Sequence, residues 1–348
     1  MNNLAIFHDA FLQRGGAEKV ALVWAREFRN PINVLASKKE LIDRIDVSIN
    51  TLIPWIKSQR SLEIIYLFLP VIYKFLRRTK DDVRIVSTTG IAHQLPGTWN
   101  KRIVYVHSPT RWIWDKKNFD IGRSKIEVIL ANICRPIFKF YDKRSIHPGD
   151  VIVVNSNATK AKVLSAYGRT SEVIFPPVTF HAGNSKKPKL PESFESFYLQ
   201  VGRARGYKGT NFLIDVFRES SYKLLVVGEG TQKFQTDSVL GLGYVTNEEL
   251  SWLYESAEAL LAVSNEDFGL TPVEAALFGC PTIAFKQEGY LDSVMEGISG
   301  KFIQPNNHEQ MLLALQTHER SSYSRTKLIS FAEQFSVESH VSRIKKHL

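Results

Sequence analysis

The sequence predicts an α/β chain built from two parallel-sheet domains, and three observations carry that prediction. Short runs rich in Ile and Val alternate with helix-period segments through the first half, and the same alternation resumes in the second. Strands separated by helical spans imply parallel sheets joined by right-handed crossovers. Between the halves, the stretch Pro176–Pro191 holds four prolines, a glycine and several charges, the composition of a linker. The length of 348 residues suits two domains of ordinary size.

Taken in chain order, the first-half strands are expected at 4–8, 32–36, 83–88, 102–107 and 151–155. The first is followed by Gly15-Gly16 and then by a helical apolar pattern through Ala21, Leu22 and Ala25. The second-half strands are expected at 197–202, 223–228, 258–263 and 281–285. Helices are expected to begin near Thr210 and Leu270. Pro272 fits the first turn of the latter, where its missing N–H costs nothing. The last helical patterns run over 322–334 and 337–347.

A hydrophobic share of 44% supplies globular cores and excludes a disordered chain. Cys134 and Cys280 are isolated thiols without metal spacing, which argues against a disulfide framework and fits a reducing, cytoplasmic compartment. Met1-Asn2-Asn3 runs straight into the first strand, so no secretory signal is expected. Charge is unevenly spread. Residues 1–175 carry 28 Lys and Arg against 15 Asp and Glu, a net of +13; residues 176–348 carry 17 against 20, a net of −3. That asymmetry sets an anionic partner against the first half: a membrane surface, a lipid diphosphate or nucleic acid. No nucleic-acid recognition motif accompanies it, so nucleic acid is not expected.

Two apolar, base-ended segments suit a membrane interface. One is 62–78, ending in Lys74, Arg77 and Arg78; the other is 125–144, with Arg135, Lys139, Lys143 and Arg144. The apolar run of the first is about a dozen residues, short of the roughly 20 needed to span a bilayer. Basic amphipathic helices of this kind lie in the interface, and core helices give the same pattern. Both readings stand on sequence alone.

Chemistry concentrates in the run Ser264-Asn265-Glu266-Asp267-Phe268-Gly269-Leu270-Thr271-Pro272-Val273-Glu274. Glu266 falls on a loop at the carboxyl end of a parallel strand, the edge where open α/β sheets bind ligands. Glu274 falls about one turn into the next helix, whose start offers free N–H groups and partial positive charge to a phosphate. Carboxylates there suit sugar hydroxyls. Spacing alone is equally served by an acid placed for helix stability and an exposed helical Glu. Upstream, Gly202-Arg203-Ala204-Arg205-Gly206-Tyr207-Lys208-Gly209 also joins a strand to a helix, and its forked guanidinium and point ammonium suit a diphosphate.

The ordered pair G-R-x4-K-G then E-x7-E resembles retaining glycosyltransferases of family four. The resemblance implies the GT-B fold, two Rossmann-like parallel-sheet domains facing a deep cleft. The domains implied are 1–178, on the acceptor side, and 190–335, which binds the nucleotide-sugar; residues 336–348 pack back on the first. Asp9 and the Gln13–Glu18 loop, with Gly15 and Gly16, look like the family's first strand and glycine-rich loop, where glycines let the backbone approach a ligand. Gly228 and Glu229 match its nucleotide-contacting loop, and Gly243–Leu250, with Val245, its stretch beside the base. His107-Ser108-Pro109-Thr110-Arg111-Trp112-Ile113-Trp114-Asp115 looks like a run of bacterial mannosyltransferases that build surface polysaccharides.

The resemblance further implies roles. His107 touches the donor sugar. Arg203 and Lys208, with the helix start at Gly269 and Leu270, stabilise charge on the leaving diphosphate, which helps to deprotonate an acceptor attacking the same face. Glu266 holds sugar hydroxyls beside Phe268–Leu270, and Glu274 the ribose. Arg111 and Asp115 are acceptor contacts or a buried salt pair; Asp9 is an acceptor contact or a cap. No cofactor and no metal are expected. The acid pairs Asp81-Asp82 and Glu248-Glu249 are placed on loops or helix starts, and the basic pair does a cation's work. The expected function is transfer of a hexose, mannose from GDP-mannose, to a lipid-linked glycan of surface polysaccharide or O-antigen. The site would be the inner face of the cell membrane. The alternatives are a UDP-sugar donor, a dinucleotide oxidoreductase, disfavoured by an incomplete G-x-G-x-x-G fingerprint, and a basic membrane- or nucleic-acid-binding module.

Overall fold

The computed structural model describes residues 3–348 except 14, 44, 59–71, 73–75, 77–78, 116–124, 181–182 and 205–207. Lys74, Arg77 and Arg78, expected at a membrane interface, therefore lie outside the described residues. The chain divides into two compact units, 1–177 with 337–348, and 178–336.

The first unit holds β1 (Leu4–Phe11), β2 (Ile32–Ser37), β3 (Ile49–Thr51), β4 (Thr79–Thr88), β5 (Gly97–Val106), β6 (Val151–Val154) and β7 (Glu172–Val173). They form one sheet in the order β3-β2-β1-β4-β5-β6-β7, with every pairing parallel. Its longer helices are α1 (Gly16–Phe28), α2 (Lys125–Ser145) and α3 (Asn157–Tyr167), and the chain returns to this unit with its C-terminal helix, Val337–Lys345. Period-two alternation sends neighbours to opposite faces. Ile6 joins Ile32, Ile85 and Ile103 on the face packed by Trp24 and Ala21 of α1; Phe7 joins Leu35 and Val86 on the other. Apolar residues on both faces are what a parallel sheet covered on both sides requires.

The second unit repeats the plan with β8 (Tyr198–Val201), β9 (Leu224–Val227), β10 (Val239–Gly243), β11 (Leu260–Ala262), β12 (Thr282–Phe285) and β13 (Gly300–Ile303), in the order β10-β9-β8-β11-β12-β13. Its longer helices are α4 (Thr210–Arg218), α5 (Asn247–Ser256), α6 (Leu270–Leu277), α7 (His308–Gln316) and α8 (Arg325–Glu333), which makes the returning helix Val337–Lys345 α9. Leu224 and Val226 face one core with Leu213 and Met311, while Leu225 and Val227 face the other with Tyr254 and Phe278.

Strand extents differ from expectation where polar residues pair inside the sheet. Asp81 and Asp82 belong to β4, not to a loop or helix start. Asp81 is buried and accepts from Arg84 Nε at 2.7 Å, so a charged pair continues the strand. Glu248 and Glu249 do open a helix: Thr246 and Glu249 form a reciprocal capping box at the start of α5. No helix among the described residues is long and apolar enough to cross a membrane.

Candidate functional site

Both sheets change direction at a switch point, β1/β4 in the first unit and β8/β11 in the second. Ligands in such sheets bind outside the carboxyl ends of the strands at that point. In the second unit, the loop after β8 carries Arg203 and Lys208, and the loop after β11 carries Glu266. Lys208 Nζ and Glu266 Oε1 form an ion pair across the switch point, both half-buried. Glu266 Oε1 also accepts from Ser264 Oγ at 2.9 Å, and Ser264 Oγ lies 2.7 Å from Tyr290 Oη. The Glu266 carbonyl takes the Gly289 N–H at 3.0 Å. Burial, with the Glu266 charge beside it, holds the Tyr290 phenol well above its ordinary range, so Tyr290 stays neutral as a hydrogen-bond partner.

Two glycines let these loops crowd together. Gly269 sits at φ +83°, and a Cβ there would lie 2.6 Å from the Tyr290 ring; α6 starts at the next residue, with Pro272 in its first turn. Gly228, at φ +140°, brings the loop after β9 so close to the loop after β8 that a Cβ would meet Gly202 O at 2.2 Å. Ala204 N donates to Glu229 O at 2.9 Å across the same seam. Glu229 is exposed and Arg203 half-buried. Phe268 is buried, stacked obliquely on Phe335 at 5.6 Å. Glu274 is buried on α6 and accepts from Tyr254 Oη at 3.3 Å. The exposed helical Glu that spacing alone allowed is therefore not what the fold builds. Val245 packs in part against the core; beside it Tyr244, passed over in the sequence, is 70% exposed.

The first unit treats its polar groups differently. Asp9 is buried, and its carboxylate accepts from the N–H groups of Thr89 (2.5 Å), Ile91 (2.8 Å) and Ala92 (2.6 Å). Both Asp9 oxygens thus hold the loop after β4, the kind of contact that a capping role asks for. Gly15 has an extended φ of −141°. The space a Cβ would take there is filled by the Glu18 carboxylate at 2.6 Å, so protein fills the room the glycine leaves. Gly16 opens α1. Arg111 is exposed and Asp115 half-buried.

His107 is buried at the end of β5, its ring 4.9 Å from that of Tyr105. Its Nε2 lies 2.9 Å from Ser87 Oγ, and that hydroxyl lies 3.0 Å from His8 Nδ1. His8 Nδ1 also approaches the Ser87 carbonyl at 3.2 Å. A carbonyl only accepts, so the His8 proton lies on Nδ1, and the Ser87 hydroxyl links the His8 and His107 rings. Burial lowers the His8 pKa against the pull of Asp9.

Behind His107, Asp142 of α2 gathers donors: His93 Nε2 (3.0 Å), Gln94 Nε2 (2.8 Å), Thr110 Oγ1 (3.2 Å), Trp114 Nε1 (2.6 Å) and Tyr167 Oη (3.0 Å). Burial pushes its carboxyl upward, but the neighbouring His93 and the hydrogen bonds outweigh that and hold it below the ordinary range. No spacing in the sequence links these residues. Among the described residues no cluster of His, Cys, Asp and Glu is arranged to hold a metal ion.

A family model described as glycosyl transferases group 1 matches residues 183–335. This segment is a glycosyltransferase group 1 domain. It contains the whole of the β8–β12 edge described above. The chain is similar to the alpha-1,3/1,6-mannosyltransferase ALG2 of Homo sapiens, 23% identical over 281 residues, covering 69% of this chain and 65% of that protein. It is also similar to the O-antigen chain mannosyltransferase C of Escherichia coli, 26% identical over 162 residues, 41% of this chain and 44% of the relative. The matched segments thus span less than two thirds of either relative. Among solved structures, the Anabaena protein Alr3699/HepE in complex with UDP superposes over 99% of both chains with a TM-score of 0.71 at 17% identity. The chain has the GT-B fold, with a seven-stranded sheet in one unit and, in the unit that contains the group 1 domain, a six-stranded sheet.

Proposed function

We propose that this protein is a retaining glycosyltransferase that moves mannose from GDP-mannose onto a lipid-linked glycan of surface-polysaccharide synthesis. The observation that carries the reading is the Lys208–Glu266 pair at the β8/β11 switch point, set beside the start of α6. A cation and a carboxylate held together there match the two ends of a sugar diphosphate. Lys208, with Arg203, faces the charge that grows on the leaving diphosphate. Glu266, held by Ser264, accepts from sugar hydroxyls. Glu274 accepts from the ribose. In the reaction, the bond from the anomeric carbon to the diphosphate oxygen breaks while the acceptor oxygen bonds on the same face. The acceptor's proton passes to the departing diphosphate. Arg203 and Lys208 take the part a metal ion would otherwise play. For His107 the role follows the family resemblance, a contact with the donor sugar. The names of the relatives, two mannosyltransferases, support the choice of sugar.

The test is a thermal-shift panel of GDP, UDP, ADP and dTDP, since a ligand bound only by the folded state raises its stability. GDP is expected to give the largest rise, with transfer from GDP-mannose intact in chelator. Preferential stabilisation by UDP would assign a UDP-sugar instead. No response to any nucleotide would end the nucleotide-sugar reading.

A further inference from the structure

Helix α2 is amphipathic in the reverse sense. Ile129, Ile133, Ile137 and Phe140 are 57%, 67%, 60% and 60% exposed. Steps of four and three residues keep to one side of a helix, so these four form a single outward stripe. The inward side carries Ala131, Arg135 and Asp142, all buried. Arg135 Nε donates to Trp112 O at 3.1 Å, and Asp142 holds Trp114 and Thr110. Charge faces in and hydrocarbon faces out, the opposite of a surface helix in water. A contiguous exposed apolar stripe marks a contact surface.

The charge around the stripe says what covers it. Lys143 and Arg144 are exposed at its C-terminal end, and residues 1–175 carry a net +13. A second copy of this chain would bring the same positive face against itself. We propose that the outer face of α2 docks on an anionic lipid bilayer, with the isoleucines and Phe140 entering the acyl boundary and Lys143 and Arg144 meeting the head groups. The surface stands on the exposed stripe and its charges alone. Its use, presenting a lipid-linked acceptor, rests on the proposed function. The same helix that meets lipid fixes the segment after His107 through Arg135 and Asp142.

The test is flotation of the full chain with vesicles of phosphatidylcholine alone or mixed with phosphatidylglycerol. Wild type is expected to float with the mixed vesicles, and at high salt to do so weakly. Ile133→Ser combined with Ile137→Ser, both outward-facing and outside the proposed catalytic groups, should lower partition by at least about tenfold. Lys143→Ala with Arg144→Ala should lower it about twentyfold at low salt. Wild type that ignores anionic vesicles overturns the proposal. So does an isoleucine variant that binds as wild type does, or a wild-type dimer that the isoleucine variant dissolves. The GDP-induced thermal shift, measured on the same proteins, tests the donor reading separately. It should be equal in wild type and variants.

Discussion

The two sheets share one strand order around their switch points, yet their carboxyl edges are furnished in opposite ways. In the first unit several buried polar groups near the edge are satisfied from within. Asp9 caps the loop after β4, Asp142 collects side chains from three segments, and Ser87 bridges His8 and His107. In the second unit the ionic groups are left half-buried on loops, where a ligand can reach them. The contrast separates architecture from chemistry. A closed polar network fixes a surface, whereas a cation and a carboxylate at an accessible switch point are available for exchange with a substrate.

The sharpest way to break this comparison is to open the closed network. Asp142→Ala strands several buried donors, including His93, and should cost about 3–5 kcal/mol, the range for breaking a buried pair. Urea unfolding should show the loss in the first unit's transition. An unchanged midpoint would mean that the network is ornamental to stability.

Acid should also single out the first unit. His340 of α9 accepts from Trp24 Nε1 at 2.9 Å through Nε2 and faces the Phe175 carbonyl at 2.8 Å through Nδ1. Burial lowers its pKa to about 4, with Arg343 pulling the same way and the Phe175 carbonyl opposing. The ordinary value is about 6.5, so between the two the unfolded chain binds the proton and the folded one does not. The contribution is therefore fully present above pH ~6.5 and lost as pH falls to ~4, up to about 3 kcal/mol. His340→Gln should flatten stability over that window; a profile matching wild type would exclude His340 as the cause.

For the open edge, Lys208→Ala and Arg203→Ala should each cut turnover about 10²-fold or more, the scale of lost charge stabilisation in a transition state. Folding should survive. Normal rates in a folded variant would strip that residue of its part.

The two carboxylates sharpen the contrast within the second unit. Glu274→Ala should weaken GDP binding by about 1.5–3 kcal/mol, the value of a charged hydrogen bond. Glu266→Ala should spare GDP and reduce turnover, because GDP lacks the sugar. Equal loss of GDP affinity in both, by isothermal titration, would erase the division.

The second unit's edge was legible because its groups fall in two short windows, each joining a strand to a helix. Glycines mark both windows, and both close contacts at Gly228 and Gly269 fall on residues singled out from the chain. What spacing did not reveal is that Lys208 and Glu266, 58 positions apart, face each other, nor that Ser264 and Tyr290 brace the acid. The first unit's network was not legible. Residues 8, 87, 93, 107, 142 and 167 meet only once the sheet is assembled, and a buried Asp carries no local signature. Strands were missed for a simpler reason. β3 and β7 are very short, while β10 and β13 contain glycines, which weaken a strand pattern. β4 was read four residues short, all of them at its start, because acids are poor strand formers until Arg84 neutralises Asp81.

The path of the chain has a consequence for synthesis. The first unit is discontinuous: α9, whose His340 closes over Trp24 and Tyr105, is made only after the whole of the second unit. At about 5–20 residues per second, the intervening stretch delays α9 by roughly 10–30 s after Pro177 is added. Through that interval the growing chain exposes an aromatic groove on a nearly finished sheet. The second unit, whose residues are contiguous, is complete before the first.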